Sequence, residues 1–122
     1  GQEECEAIRR LPRGDILAMT LLTEKIKEDL PSLYANEDKS EDDTTVVVKF
    51  FTPDSYLTWY ATEFDGTDTF FGLVDGQEQE LGYFSLSELE DVRGSLGLPV
   101  ERDLHFNPTP LSEVRDSIAT LN

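Results

Sequence analysis

Cysteine is almost missing from this sequence: Cys5 is the only one in 122 residues, which excludes an internal disulfide, a thiolate zinc cluster and a thioredoxin-like pair. Positive charge is scarce as well. Ten Lys and Arg stand against 26 Asp and Glu, a formal charge of -16 at pH 7, so the chain lacks the clustered bases that a phosphate backbone or an anionic membrane surface demands. Long apolar runs are absent, which leaves no visible signal peptide or membrane span and makes the cytoplasm the default location. No Gly-x-Ser-x-Gly elbow occurs, and no glycine-rich loop runs into a lysine; a hydrolase nucleophile and a phosphate cradle are therefore not signalled. Asp65, Asp68 and Asp75 offer oxygen ligands at a spacing that fits no calcium loop, and neither a metal nor a cofactor is expected.

What is present suits one packed domain. A 38% hydrophobic and 10% aromatic content in a chain of this length supports a single core without staples. Residues 1–18, broken at Pro12-Arg13-Gly14, read as an N-terminal extension, either a mobile arm or a short docking helix, and residues 19–122 as the domain. Thr23 is placed to cap a helix carrying Ile26, Leu30 and Leu33 on one face, and Pro31 should end it. The polar, mostly acidic stretch Asn36 to Asp43 reads as a solvated loop.

Strand signals follow one another. Thr45 to Phe51 alternates, with Val46, Val48 and Phe50 on one face; Leu57 to Phe64 sets Leu57, Trp59 and Ala61 against Thr58, Tyr60 and Thr62. Thr69 to Val74 lies between Asp65-Gly66 and Asp75-Gly76, two hairpin signals, and Glu78 to Phe84 returns. Ser85 with Glu88 forms a capping box for a short helix that Gly94 should terminate. Val100 to Phe106 is a candidate fifth, edge strand, and Thr109-Pro110 should open a last helix with Leu111, Val114, Ile118 and Leu121 on one face. The expected fold class is α+β: an antiparallel four- to five-stranded meander with an N-terminal helix, a short helix after the fourth strand and a C-terminal helix.

Several of these words, in this order, resemble one bacterial family: Val48-Lys49-Phe50-Phe51-Thr52-Pro53, Trp59-Tyr60-Ala61-Thr62-Glu63, Phe71-Gly72-Leu73-Val74-Asp75-Gly76, Glu80-Leu81-Gly82-Tyr83-Phe84-Ser85-Leu86 and Pro99-Val100-Glu101-Arg102-Asp103. The chain is similar over about Met19 to Val114 to domain of unknown function 2958. That resemblance implies a small protein of plasmids and other mobile elements, and it transfers no catalytic residue.

The residues themselves offer three candidate sites. Glu101, Asp103 and His105 would point the same way along an edge strand, with Arg102 opposite, so the carboxylates could polarise the one imidazole for general base work; the plain alternative is an exposed edge bearing surface charges. Trp59, Tyr60, Glu63 and Tyr83 could line a pocket for a planar or cationic ligand, or simply form the core and rim of the sheet. Third, no base occurs between Lys49 and Arg93, while Asp54, Glu63, Asp65, Asp68, Asp75, Glu78, Glu80, Glu88, Glu90 and Asp91 all fall there. Such a segment is either a solubilising surface or a face for something positive. The favoured expectation is a non-enzymatic accessory or interaction module that meets a basic protein partner, with direct nucleic-acid binding disfavoured by charge; the alternative is a small-ligand binder or enzyme built on the aromatic and carboxylate surface.

Overall fold

Five strands pair antiparallel in the spatial order β5-β4-β3-β2-β6, and two further short strands pair with each other. The structure is a computed structural model and describes residues 21–121, so the expected extension over residues 1–18 lies outside the described residues. The elements are α1 (Glu24–Asp29), β1 (Thr45–Val46), β2 (Val48–Phe51), β3 (Thr58–Phe64), β4 (Thr69–Asp75), β5 (Gln79–Ser85), α2 (Leu86–Asp91), β6 (Glu101–Arg102), β7 (Thr109–Pro110) and α3 (Leu111–Leu121). This is the expected α+β meander, with β2 to β5 joined in sequence and β6 added beside β2.

The central strand explains the layering. β3 is buried at every position from Trp59 to Phe64, which requires cover on both faces of the sheet. On one face Phe50, Trp59, Ala61, Phe64, Phe70 and Phe84 pack with Leu30 behind α1 and Leu89 of α2. On the other, Tyr60 and Leu73 meet Leu111, Val114 and Ile118 of α3. Phe70 is the hub of the first face, with ring centroids 4.5 Å from Phe64, 5.2 Å from Phe84 and 5.6 Å from Phe50. Truncating a ring so placed costs about 3–5 kcal/mol.

Local chemistry sets the helix ends. The Thr23 hydroxyl accepts the Ile26 N–H at 3.2 Å, and the helix stops at Asp29 with Leu30, before Pro31, as an extended cap. Ser85 accepts the Glu88 N–H at 3.1 Å, so the capping position read from the sequence is realised. Asp68 reinforces that start: its carboxylate takes the Ser87 N–H at 2.9 Å and the Ser87 hydroxyl at 3.0 Å. The helix ends at Asp91 on an extended Val92, not at Gly94. Gly94 is required for another reason, since a Cβ there would overlap the Asp54 carboxylate, which holds the Leu96 and Leu98 N–H groups at 2.7 and 3.1 Å.

Four further expectations need correction. Val47 interrupts the first strand, so Val46 joins the cluster beneath α3 while Val48 and Phe50 join the opposite one. The Asp75-Gly76 reversal forms without a positive φ at Gly76, and Asp75 pairs with Gln79 across three intervening residues; Gly66, by contrast, has φ of 90°. Val100 to Phe106 shortens to two strand residues, β6, the chain leaving the sheet after Arg102. Thr109 and Pro110 pair with β1 as β7 and do not cap α3. The first helical N–H groups find other acceptors: Leu111 donates to the Thr44 carbonyl at 2.8 Å and Ser112 to that of Glu41 at 3.2 Å. Leu111, Val114 and Ile118 are buried as expected, and the side chain of Leu121 lies outside the described ones.

No helix among the described residues is long and apolar enough to cross a membrane.

Candidate functional site

A single irregularity in β3 creates the groove. The strand pairs Ala61 with Gly72 and then Glu63 with Phe71, so one residue is extra on the β3 side. In an unbroken strand Glu63 would share the face of Trp59 and Ala61. The bulge instead carries it to the face of Tyr60 and sends Phe64 into the aromatic cluster opposite. Thr62 occupies the bulge, its hydroxyl donating to the Phe71 carbonyl at 3.1 Å.

Glu63 is only 4% exposed. Its Oε1 accepts the Tyr34 N–H at 2.8 Å and its Oε2 the Asn36 N–H at 3.0 Å, while the Asn36 amide donates to the Thr62 carbonyl at 3.3 Å. The loop after α1 is thereby sewn onto the bulge. Tyr34 has φ of 71°, a left-handed conformation unfavourable for a bulky residue, which the two bonds to the carboxylate hold in place.

Over this floor lies a groove of about 470 Å3, walled on the sheet side by Phe71, Leu81 and Tyr83 and on the loop side by Tyr34, Glu37 and Lys39, and closed at one end by Leu111. Phe71 and Tyr83 meet edge to face at 5.1 Å. The Tyr34 side chain beside it pushes the Tyr83 ionisation above its ordinary range; burial adds to this, as do Glu63 and Glu37 through charge. Both rims remain open to solvent, Tyr34 at 63% and Tyr83 at 57% exposed.

Of the four residues grouped from the sequence, the structure brings Glu63 and Tyr83 together here. Trp59 is buried in the opposite cluster. Tyr60 shares the face but sits under Phe106, ring centroids 6.2 Å apart, with the Lys49 ammonium 5.7 Å from its ring. Burial, then the charges of Asp75 and Asp103, push its hydroxyl ionisation upward. Tyr34, Thr62, Phe71 and Leu81 were missed. The one available signal was an acid inside an otherwise apolar run, Glu63 next to Phe64; nothing local marked Tyr34.

At the other end of the sheet the edge cluster takes a different form. Because β6 ends at Arg102, the alternation that would align Glu101, Asp103 and His105 is not continued. Asp103 pairs with Lys49 at 3.6 Å and accepts the backbone N–H of His105 at 2.9 Å. Glu101 and His105 are exposed, while Arg102 and Asp103 border a smaller groove of about 290 Å3 with Lys25 and Asp29.

The central acids divide into two groups. Asp54, Glu63, Asp65 and Asp68 are spent on backbone N–H groups; Asp65 alone accepts from Thr67, Asp68 and Thr69 at 2.8, 2.8 and 3.1 Å. Those bonds, that from Asp68 foremost and then that from Thr67, hold its carboxyl below the usual aspartate range. Asp75, Glu78 and Glu80 stand on the β4–β5 hairpin, and Glu88, Glu90 and Asp91 on α2. The ion pairs seen among the described residues, Lys25–Asp29, Lys27–Glu24, Lys49–Asp103 and Arg115–Glu41, involve none of Asp75, Glu78, Glu80, Glu88 and Asp91. No group of three or more metal-ligating side chains occurs among the described residues.

The family model described as "Protein of unknown function (DUF2958)" matches residues 21–119. No match is found among the curated proteins or among solved structures.

Proposed function

Since the chain belongs to the DUF2958 family, its role has to be read from its own residues, and we propose that it is a non-enzymatic accessory module of a plasmid or other mobile element, acting in the cytoplasm by presenting carboxylates to a basic protein partner. The observation that carries this reading is the run from Lys49 to Arg93 without a base, from which Asp75, Glu78, Glu80, Glu88 and Asp91 emerge onto a hairpin and a helix outside the ion pairs described above. Unopposed carboxylates of this kind steer association with positive surfaces and repel nucleic acid. Catalysis draws less support. Both oxygens of Glu63 are taken by backbone N–H groups, and the carboxylate nearest to His105 in sequence holds that residue's backbone rather than its ring.

Capture of partners from a bacterial lysate at about 0.05 M and about 0.5 M salt tests the reading, because contacts between exposed charges weaken over that range. A basic protein should bind at the lower salt and be released at the higher. A partner that stays bound unchanged at high salt, or the return of no basic partner, would remove the electrostatic account. The 470 Å3 groove lies within the volume range of small-molecule sites and supports a second reading, a small-ligand binder, which a saturable thermal stabilisation by a neutral metabolite would favour.

A further inference from the structure

We propose that the groove above Glu63 is the point at which this protein receives a guanidinium side chain, an arginine in an extended basic segment of its partner, held against the rings of Tyr34 and Tyr83. The inference rests on the proposed acidic docking role and names the pocket that role would use.

Four features converge on a cation. The exposed rings of Tyr34 and Tyr83 stand at the two rims, with Phe71 edge to face against Tyr83 at 5.1 Å, and the faces of such rings are negative. A planar guanidinium stacks on an aromatic face as a compact ammonium does not. Beneath them, Glu63 is a buried carboxylate whose bonded partners are the N–H groups of Tyr34 and Asn36; these are dipoles, so the floor keeps its formal charge. The lining also holds Lys39 with Glu37 and Glu41, and Glu41 already has Arg115 at 2.8 Å. With Glu63 the lining stays net negative, which disfavours an anion. Finally, Leu81, 44% exposed on the sheet wall beside Tyr83, offers an apolar strip for the aliphatic stem of an arginine.

The groove is also formed in advance. Glu63 fixes Tyr34 on one rim, and the edge-to-face contact with Phe71 seats Tyr83 on the other, so little ordering remains to oppose binding.

The test uses the full chain and three blocked pentapeptides, each with a single central arginine, lysine or norleucine between glycines, titrated while backbone amide resonances are followed. With the arginine peptide, saturable shifts are expected at Tyr34, Thr62, Leu81 and Tyr83; the lysine peptide should bind more weakly, and the norleucine peptide should leave these amides unmoved. Tyr83→Phe keeps the ring and should bind within about twofold of the parent, whereas Tyr83→Leu should weaken binding about fivefold, the size of one exposed cation–ring contact. Because Tyr83 is 57% exposed, both variants should stay folded and melt within a few degrees of the parent. Equal shifts with norleucine would mark the groove as merely apolar, and unaltered binding by Tyr83→Leu would remove the rings from the account. Shifts confined to Asp75, Glu78 and Glu80 would overturn the pocket while leaving the acidic docking role standing; failure of both the peptides and any basic protein to bind would end both.

Discussion

The carboxylate of Glu63 accepts the backbone N–H of Tyr34 at 2.8 Å, joining residues 29 positions apart and holding Tyr34 at φ of 71° on the lip of the groove. A buried acid thus does a structural job with backbone partners, and the same bond presents an aromatic ring to solvent. Glu63→Gln replaces one acceptor oxygen by a donor and leaves a buried N–H without a partner, a loss of about 1–3 kcal/mol. Urea denaturation should register it, and the Tyr34 and Asn36 amides should exchange faster. Tyr34→Gly suits the left-handed backbone, so those amides should stay protected and stability should stay within about 1 kcal/mol of the parent. Unchanged exchange in Glu63→Gln would refute the attachment of the loop.

Two glycines face each other across β4 and β5, and they should tolerate a methyl group very differently. A Cβ on Gly72 would overlap the Tyr60 carbonyl, part of the central strand's backbone, whereas one on Gly82 meets nothing within 4 Å. Gly72→Ala should therefore cost about 3 kcal/mol or more, as strain against rigid backbone does, or prevent folding. Gly82→Ala should melt within a few degrees of the parent. Parallel thermal melts of the two variants check the contrast.

Acid should uncouple the first hairpin turn through Asp65. Its carboxyl titrates below the ordinary aspartate range because the Asp68 N–H, then those of Thr67 and Thr69, favour the ionised form. A folded value below the unfolded one means stabilisation that is fully present above the unfolded value, about 3.9, and is lost as pH falls through the lower folded value. The stability advantage of the parent over Asp65→Asn should accordingly be flat near neutrality and shrink below about pH 4. An advantage that grew on acidification would contradict the assignment.

The tyrosine clasp has an alkaline signature. The Tyr83 hydroxyl ionises above its normal range, chiefly through the Tyr34 side chain and next through burial. The folded state therefore favours the protonated phenol, and its contribution to stability is complete below the unfolded value, about 10, and lost as pH rises through the folded one. Tyr34→Phe should bring the Tyr83 titration, followed by ultraviolet absorbance, back toward that ordinary value. A titration unmoved by this change would mean that Tyr34 is not what holds the Tyr83 phenol protonated.

Elements governed by neighbours in sequence could be read directly. Thr23 and Ser85 bond to the N–H three residues on because a capping side chain reaches only that far, and Pro31 keeps the residue before it extended so that the helix stops ahead of it. The order of the meander strands followed from short reversals between β-rich runs. Glu63 could not be placed in the same way: simple alternation sets it beside Trp59, and the extra residue that turns it to the Tyr60 face is compensated by pairing with Phe71, a relation between strands. Composition likewise counted ten acids between Lys49 and Arg93, but not that Asp65 would bend back onto local amides while Asp54 and Asp68 reached those of Leu96 and Ser87, distant in the chain. His105 was misplaced because β6 is only two residues long, its pairing limited by where the chain leaves β2.

The beginning of α3 has a consequence for the order of events as the chain folds. An isolated 11-residue helix is shorter than water will sustain, and its first amides depend on carbonyls of Glu41 and Thr44, far upstream. The C-terminal helix should consequently be the last element to consolidate, docking as a latch once the meander and the 41–44 loop are set. Trimming it back to Leu111 would then bare Tyr60, Leu73 and Val46 while leaving the aromatic layer around Phe70 assembled.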